Sequence, residues 1–490
     1  MKMNKYPLLL WLLISASWHL EAQDFDLLER LNTTYEQFRE PTITTKRFKH
    51  ADIMPLVDRL EGQPGYTIRE LGQSIEGRSI KLISVGEGET SVLLWSQMHG
   101  NEPTATMAMM DIFNFLTSDR FRTEKAELLK NVTLHFVPML NPDGAEVYKR
   151  FNALGIDINR DALRLQTPEG QILKYVRDSL DADFGFNLHD QSRYYNAERS
   201  SKQATLSYLA PAYNYEKSIN EVRSNAMKII VLMNRIIQKY APGQVGRYSD
   251  DFEPRAFGDN IQKWGTSAIL IESGGYQDDR EKQYIRKLNY LSLLTAIFTI
   301  ADGSYTDLDI AEYDQIPNND RKLFDFKLIG ATHELLGNDY KVDLGIYRWE
   351  IEDSAHESYH LYGQVGDIGD LSTFYGYEEL DANHLRIIAP KVYGPSQTMS
   401  SLEGLAFRNL LQQGYAYVKV TDIPAGLAYS EYPVHLISPN YVPSFRIDRN
   451  VNPTFFLAEG EELKYARING FLVDLSKQEL PVVNSLILTR

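Results

Sequence analysis

Apolar positions along the chain fall into two textures that change near residue 303. Before it, short apolar runs closed by turn residues alternate with longer stretches at helical spacing, the pattern of buried strands and the helices that cover them. The run Val92-Leu93-Leu94-Trp95 stops at a turn, and after Pro103 the residues Ala105, Met107, Ala108, Met109, Ile112, Phe113 and Leu116 make a broad apolar helical face. Further buried strands are predicted over 131–140, 183–189 and 266–271, with an edge hairpin from the alternating runs 66–71 and 79–85. Helices are predicted near 215–240 and 279–301. Leu27, Leu28, Leu31, Tyr35 and Phe38 predict one more that packs on this part. The polar, glycine-punctuated stretch Gly246 to Asp259 reads as a loop over the strand ends. Beyond 303, short alternating runs rich in Tyr, Val, Ile and Leu predict one or two β-rich modules.

Length turns these textures into domains, because 490 residues are long for one. Residues 1–22 read as a signal peptide, with Lys2 and Lys5 ahead of an apolar segment too short to span a bilayer and Ala22 as a cleavage residue. Then come a helical segment, 23–49, an α/β domain, 50–302, and a β-rich region, 303–490, whose role the residues do not disclose. No later run is apolar and long enough to cross a membrane. The absence of cysteine excludes disulfides, thiolate ligands and a thiol nucleophile, and in an exported chain it fits a periplasm better than a disulfide-rich milieu. Net charge is −15, or −16 once 1–22 are removed, and no basic stripe relieves it, so nucleic acid is not the expected partner.

Candidate chemistry collects at strand ends. His99 and Glu102 lie between the 92–95 strand and the next helix, where an imidazole and a carboxylate three residues apart can grip one metal ion if a third ligand joins them. The tetrapeptide alone is weak, but His189 ends a later strand and supplies that ligand, with Asp190 beside it. Glu272 ends the 266–271 strand, a place where desolvation raises a carboxyl pKa toward that of a general base. Arg150 and Arg160 stand on turn-rich sequence after Asn141-Pro142-Asp143-Gly144, as guanidiniums that grip a carboxylate or stabilise an oxyanion do. His135, inside a strand, reads as a sheet-face histidine. His356-Glu357-Ser358-Tyr359-His360 matches a metalloprotease signature, but that mechanism needs a helix and the flanking glycines allow only a short turn.

Taken in order, HxxE, NPDG, Gly155-Ile-Asp-Ile-Asn159-Arg160, His189 and Glu272 resemble the zinc carboxypeptidase family of the carboxypeptidase A type over roughly residues 50–300. The resemblance implies an α/β/α sandwich around a mixed sheet and one Zn2+ on His99, Glu102 and His189. It implies Glu272 as general base and acid, Arg150 polarising the scissile carbonyl, and Asn159 and Arg160 clamping the free C-terminal carboxylate of a peptide. Tyr248 matches the family's mobile tyrosine loosely, and Asn101 stands where many digestive members carry arginine. Glu253, Arg255 and Asp259 fall in the specificity stretch with contradictory charges. The chain is therefore expected to be a secreted or periplasmic metallocarboxypeptidase. Alternatives are a zinc deacylase of N-acyl amino acids, a cell-wall peptidase or amidase, and an inert peptidase-fold binding protein.

Overall fold

A computed structural model describes residues 26–480 and 483–489. The signal-peptide expectation for 1–22 lies outside the described residues. The chain divides into two compact units, Met1–Asp320 and Arg321–Arg490.

The first unit is built on an eight-stranded mixed sheet. Its strands are β1 (Tyr66–Gln73), β2 (Ser79–Gly86), β3 (Thr90–Ser96), β4 (Val132–Val137), β5 (Phe184–Asp190), β6 (Leu206–Leu209), β7 (Val245–Arg247) and β8 (Ser267–Ser273). Their order is β1-β2-β4-β3-β5-β8-β6-β7. The hairpin β1-β2 is antiparallel at one edge, while β4, β3, β5 and β8 run parallel through the centre. A central strand must be apolar on both faces, and β3 shows it. Val92 and Leu94 join a core shared with the helices Thr104–Thr117, Glu221–Tyr240 and Gln283–Asp302, whereas Leu93 and Trp95 join a second core with Pro168–Leu180 and Phe257–Lys263. Helices therefore cover both faces, which makes the unit an α/β/α sandwich.

The N-terminal segment is part of the first core. Residues 26–34 are helical, and Leu28, Leu31, Tyr35, Phe38 and Ile43 are buried with the helices named above. A buried ion pair fastens it: Arg286 Nη2 lies 2.5 Å from Asp111 Oδ1, both side chains fully buried. Asp111 accepts from Tyr35 Oη and from the Glu40 backbone N–H, and Arg286 donates to the carbonyls of Ile43 and Glu40.

Two expectations shift here. The division falls at 320/321 rather than 302/303, because Tyr313 and Ile316 enter the first core and Asn319–Asp320 pairs with Asn196–Ala197. The stretch 246–259 is not loop throughout, since the helix Phe257–Lys263 begins inside it. His135 is a sheet-face histidine, with Nδ1 2.8 Å from Ser84 Oγ and a pKa that burial pulls down to about 4.

The second unit holds a larger antiparallel-rich sheet and a five-stranded one. The HExxH sequence runs from the turn after the strand Asn338–Glu352 into the first two residues of the strand Tyr359–Gly369. His356 sits on the turn with Nδ1 2.7 Å from Glu352 Oε2, while His360 is in the strand with its ring stacked on Tyr429, so the two imidazoles share no helix face. His435 is buried in the smaller sheet, where its Nδ1 accepts the Leu486 N–H and its Nε2 lies 2.8 Å from Thr454 Oγ1. Burial pulls its pKa down to about 3. An unfolded histidine titrates near ~6.5, so between these values the unfolded chain binds more protons and stability falls as pH drops. Urea unfolding is expected to show the wild type losing on the order of 2 kcal/mol more than His435→Gln between about pH 7 and about pH 5. Equal losses in the two proteins would remove His435 from that account.

Candidate active site

The site sits at the carboxyl ends of β3, β5 and β8. After β3 the chain turns through His99-Gly100-Asn101-Glu102 and enters the helix at Thr104. This turn packs directly on the NPDG turn. A Cβ added at Gly100 would lie 1.9 Å from the Gly144 carbonyl carbon, so neither backbone leaves room for a side chain between them. Asn141 holds the junction. Its Oδ1 caps Gly144 N–H, and its Nδ2 donates to the carbonyls of Met98 and Arg150.

His99, Glu102 and His189 meet. Among the described residues, this is the group able to hold a metal ion, with ligand atoms all within 4.8 Å of one another. Glu102 Oε1 lies 2.9 Å from His99 Nδ1, and Oε2 lies 2.7 Å from His189 Nδ1. The two Nδ1 atoms are 3.1 Å apart. Asp157 Oδ1 takes His99 Nε2 at 3.1 Å, which fixes the ring and leaves Nδ1 facing the cluster. Burial works against ionising Glu102, but the two imidazoles outweigh it and hold the carboxyl well below its usual range. Two imidazole nitrogens and an ionised carboxylate, buried and convergent, are a donor set that suits zinc with one position left open.

Glu272 is the cross-strand partner of His189 in the parallel β5-β8 register. Burial, then the negative charges of Glu102 and Asp190, push its carboxyl well above the usual range. Arg150 reaches the cluster with Nη1 3.2 Å from Glu102 Oε1, and Asp157 steadies it through Nε at 3.1 Å. The side chains of His99, Glu102 and His189 are 2–9% exposed, whereas those of Arg150 and Arg160 are each 37% exposed and open to a solute. Arg160 donates to the Asn159 carbonyl and stands 3.6 Å from Glu253. Asn159 Oδ1 accepts the Phe257 N–H, which fixes the side chain against the start of a helix. Tyr248 lies within the electric field of Glu272, its ring 6.3 Å from that of Tyr195, and burial raises its phenol pKa.

Within 253–259, Glu253 and Arg255 neutralise each other. Glu253 is bidentate with Arg255, and Asp259 accepts the Glu253 N–H while burial pushes its carboxyl up to about 7. The Asp190 carboxylate does not bond the His189 ring; it receives Thr104 and Lys282 instead. Asp157, Asn141 and Lys282 are the site's neighbours that sequence reasoning missed. Two of them lay inside motifs the sequence displays: Asn141 opens Asn141-Pro142-Asp143-Gly144, and Asp157 falls within Gly155–Arg160.

Residues 56–204 match the Peptidase M14 family model, described as zinc carboxypeptidase. This stretch is a zinc carboxypeptidase domain. The match contains His99, Glu102, Arg150, Asn159, Arg160 and His189 and ends before Tyr248 and Glu272. Carboxypeptidase SOL1 of Arabidopsis thaliana is 27% identical over 175 residues, 29% of this chain and 35% of its own length. The catalytic chain of human carboxypeptidase N is 27% identical over 148 residues, 26% of this chain and 32% of its own. The chain thus spans about a third of the length of these curated relatives. Among solved structures, a metallo-carboxypeptidase from Burkholderia cenocepacia is similar at 18% identity and a TM-score of 0.43, over 52% of this chain and 70% of that one. No helix among the described residues is long and apolar enough to cross a membrane.

Proposed function

We propose that the chain is an exported zinc metallocarboxypeptidase that removes residues from peptide C-termini. The observation that carries this reading is the convergence of His99, Glu102 and His189 at strand ends, with Glu272 in register beside His189. Zinc on those three ligands would polarise a scissile carbonyl and acidify an attacking water. Glu272, ionised, takes the proton of that water and later delivers it to the leaving nitrogen. Arg150 stabilises the charge that builds on the carbonyl oxygen. Arg160 and the Nδ2 of Asn159 bind the terminal carboxylate, which selects the last peptide bond. Tyr248, partly buried beside Glu272, screens the reacting groups from water. Export rests on the signal-peptide pattern of residues 1–22.

Mass spectrometry of a mixed peptide library tests the reading. The zinc-loaded protein is expected to shorten free C-termini one residue at a time, and its chelator-treated twin to leave them intact. Amidated C-termini should resist, since Arg160 then has no carboxylate to hold. Zinc bound without any cleavage would overturn the carboxypeptidase reading in favour of a deacylase or cell-wall substrate.

A further inference from the structure

Directly behind the metal-ligand cluster lies a buried ion pair that touches every segment feeding it. The side chains of Asp190 and Lys282 are 7% and 12% exposed. Lys282 Nζ donates to Asp190 Oδ2 at 3.0 Å and to the Ser273 carbonyl at 2.8 Å. Thr104 Oγ1 donates to the same Asp190 oxygen at 2.6 Å, and the Asp190 backbone N–H donates to Glu102 Oε2 at 3.2 Å. Asp190 pairs with Ser273 one step beyond the His189–Glu272 pair. The ammonium therefore grips the residues that immediately follow His189 and Glu272. Through Thr104 it is also linked to the helix that follows Glu102.

Nothing in the local sequence needs a lysine there. Lys282 immediately precedes the helix Gln283–Asp302 with φ 55°, a left-handed backbone that non-glycine residues adopt at a cost. Its charge also stands at the positive end of the helix dipole. The capping is done by Asp279, which accepts the N–H groups of Gln283, Tyr284 and Ile285. The contacts that hold Lys282 in place are those to Asp190 and Ser273.

We propose that Lys282 is a positioning residue. It fixes the separation of His189 and Glu272 by tethering Asp190 and Ser273, and it fixes the orientation of Glu102 by way of the Asp190 N–H. The inference rests on the metallocarboxypeptidase reading for what those residues do. Groups that orient metal ligands typically contribute about 10–100-fold to metal affinity or activity.

The test uses the full chain as wild type, Lys282→Arg and the double variant Asp190→Asn/Lys282→Met. The double variant removes both charges together, so no buried carboxylate is left without a counter-ion and the electrostatics toward a cation stay balanced. Zinc affinity is read by competition with a chelator, and kcat and KM at saturating zinc on a peptide cleaved in the library experiment. The double variant is expected to bind zinc about tenfold more weakly and to lose about tenfold or more in kcat, with KM within about twofold. Lys282→Arg should recover both to within about threefold. A double variant that melts earlier yet binds zinc and turns over within about twofold of wild type would reduce the pair to a structural tie and overturn the proposal. A wild type that binds zinc and cleaves nothing would fail the functional reading, while the zinc affinities would still decide the role of Lys282 by the same margin.

Discussion

Glu272→Gln is expected to yield a folded protein that binds zinc as the wild type does and hydrolyses peptides on the order of 10^3-fold more slowly. The amide fills the same space at the end of β8 but cannot accept a proton from water, and it contributes no metal ligand. His189→Ala makes the contrast, because it should lose zinc and hydrolysis together. The pH profile gives a second reading. Burial and the charges of Glu102 and Asp190 raise the Glu272 carboxyl, so the base becomes ionised only above the ordinary glutamate range. Activity of the wild type should therefore rise with pH along an acid limb set by this group, and the residual activity of Glu272→Gln should lack that limb. Near-normal turnover by Glu272→Gln would sink the assignment.

Arg286→Met is expected to destabilise the first unit by about 3–5 kcal/mol. The guanidinium is fully buried against Asp111, and it also satisfies the carbonyls of Glu40 and Ile43. Methionine fills much of the volume but leaves a buried carboxylate with only Tyr35 Oη and the Glu40 N–H, and two carbonyls without a donor. Urea unfolding measures the loss as a lowered midpoint at an unchanged slope. Zinc affinity of the folded fraction should stay as in the wild type, since no ligand touches this pair. A loss below about 1 kcal/mol would mean that water enters to replace the guanidinium.

Much of the first unit is legible in the sequence because its signals are local. The run 92–95 is apolar on both faces, and β3 packs two cores with it. His99 and Glu102 follow from a strand stop and a helix start a few residues apart, and His189 and Glu272 each terminate an apolar run. What is not legible depends on partners far away in the chain. Asp157 meets His99 across 58 residues and Lys282 meets Asp190 across 92, separations with no periodicity to betray them. The late boundary has the same cause, since Tyr313, Ile316 and Asn319 are isolated anchors in a stretch without a strong apolar pattern. HExxH shows the converse: the spacing of a motif is present at 356–360, but the backbone is a turn and a strand, so the chemistry that spacing stands for does not follow.

The N-terminal segment carries a consequence for control. Many hydrolases are made with a stretch that blocks the cleft and is cut away, and residues 23–49 are where such a stretch would be sought. Here Leu28, Leu31, Tyr35, Phe38 and Ile43 are keystones of the interior, and the Asp111–Arg286 pair is bolted to their backbone. Cleavage between 26 and 49 is therefore expected to lower the urea midpoint of the first unit. Residues 26–49 are thus framework of the first unit, as firmly built in as the helices they pack against.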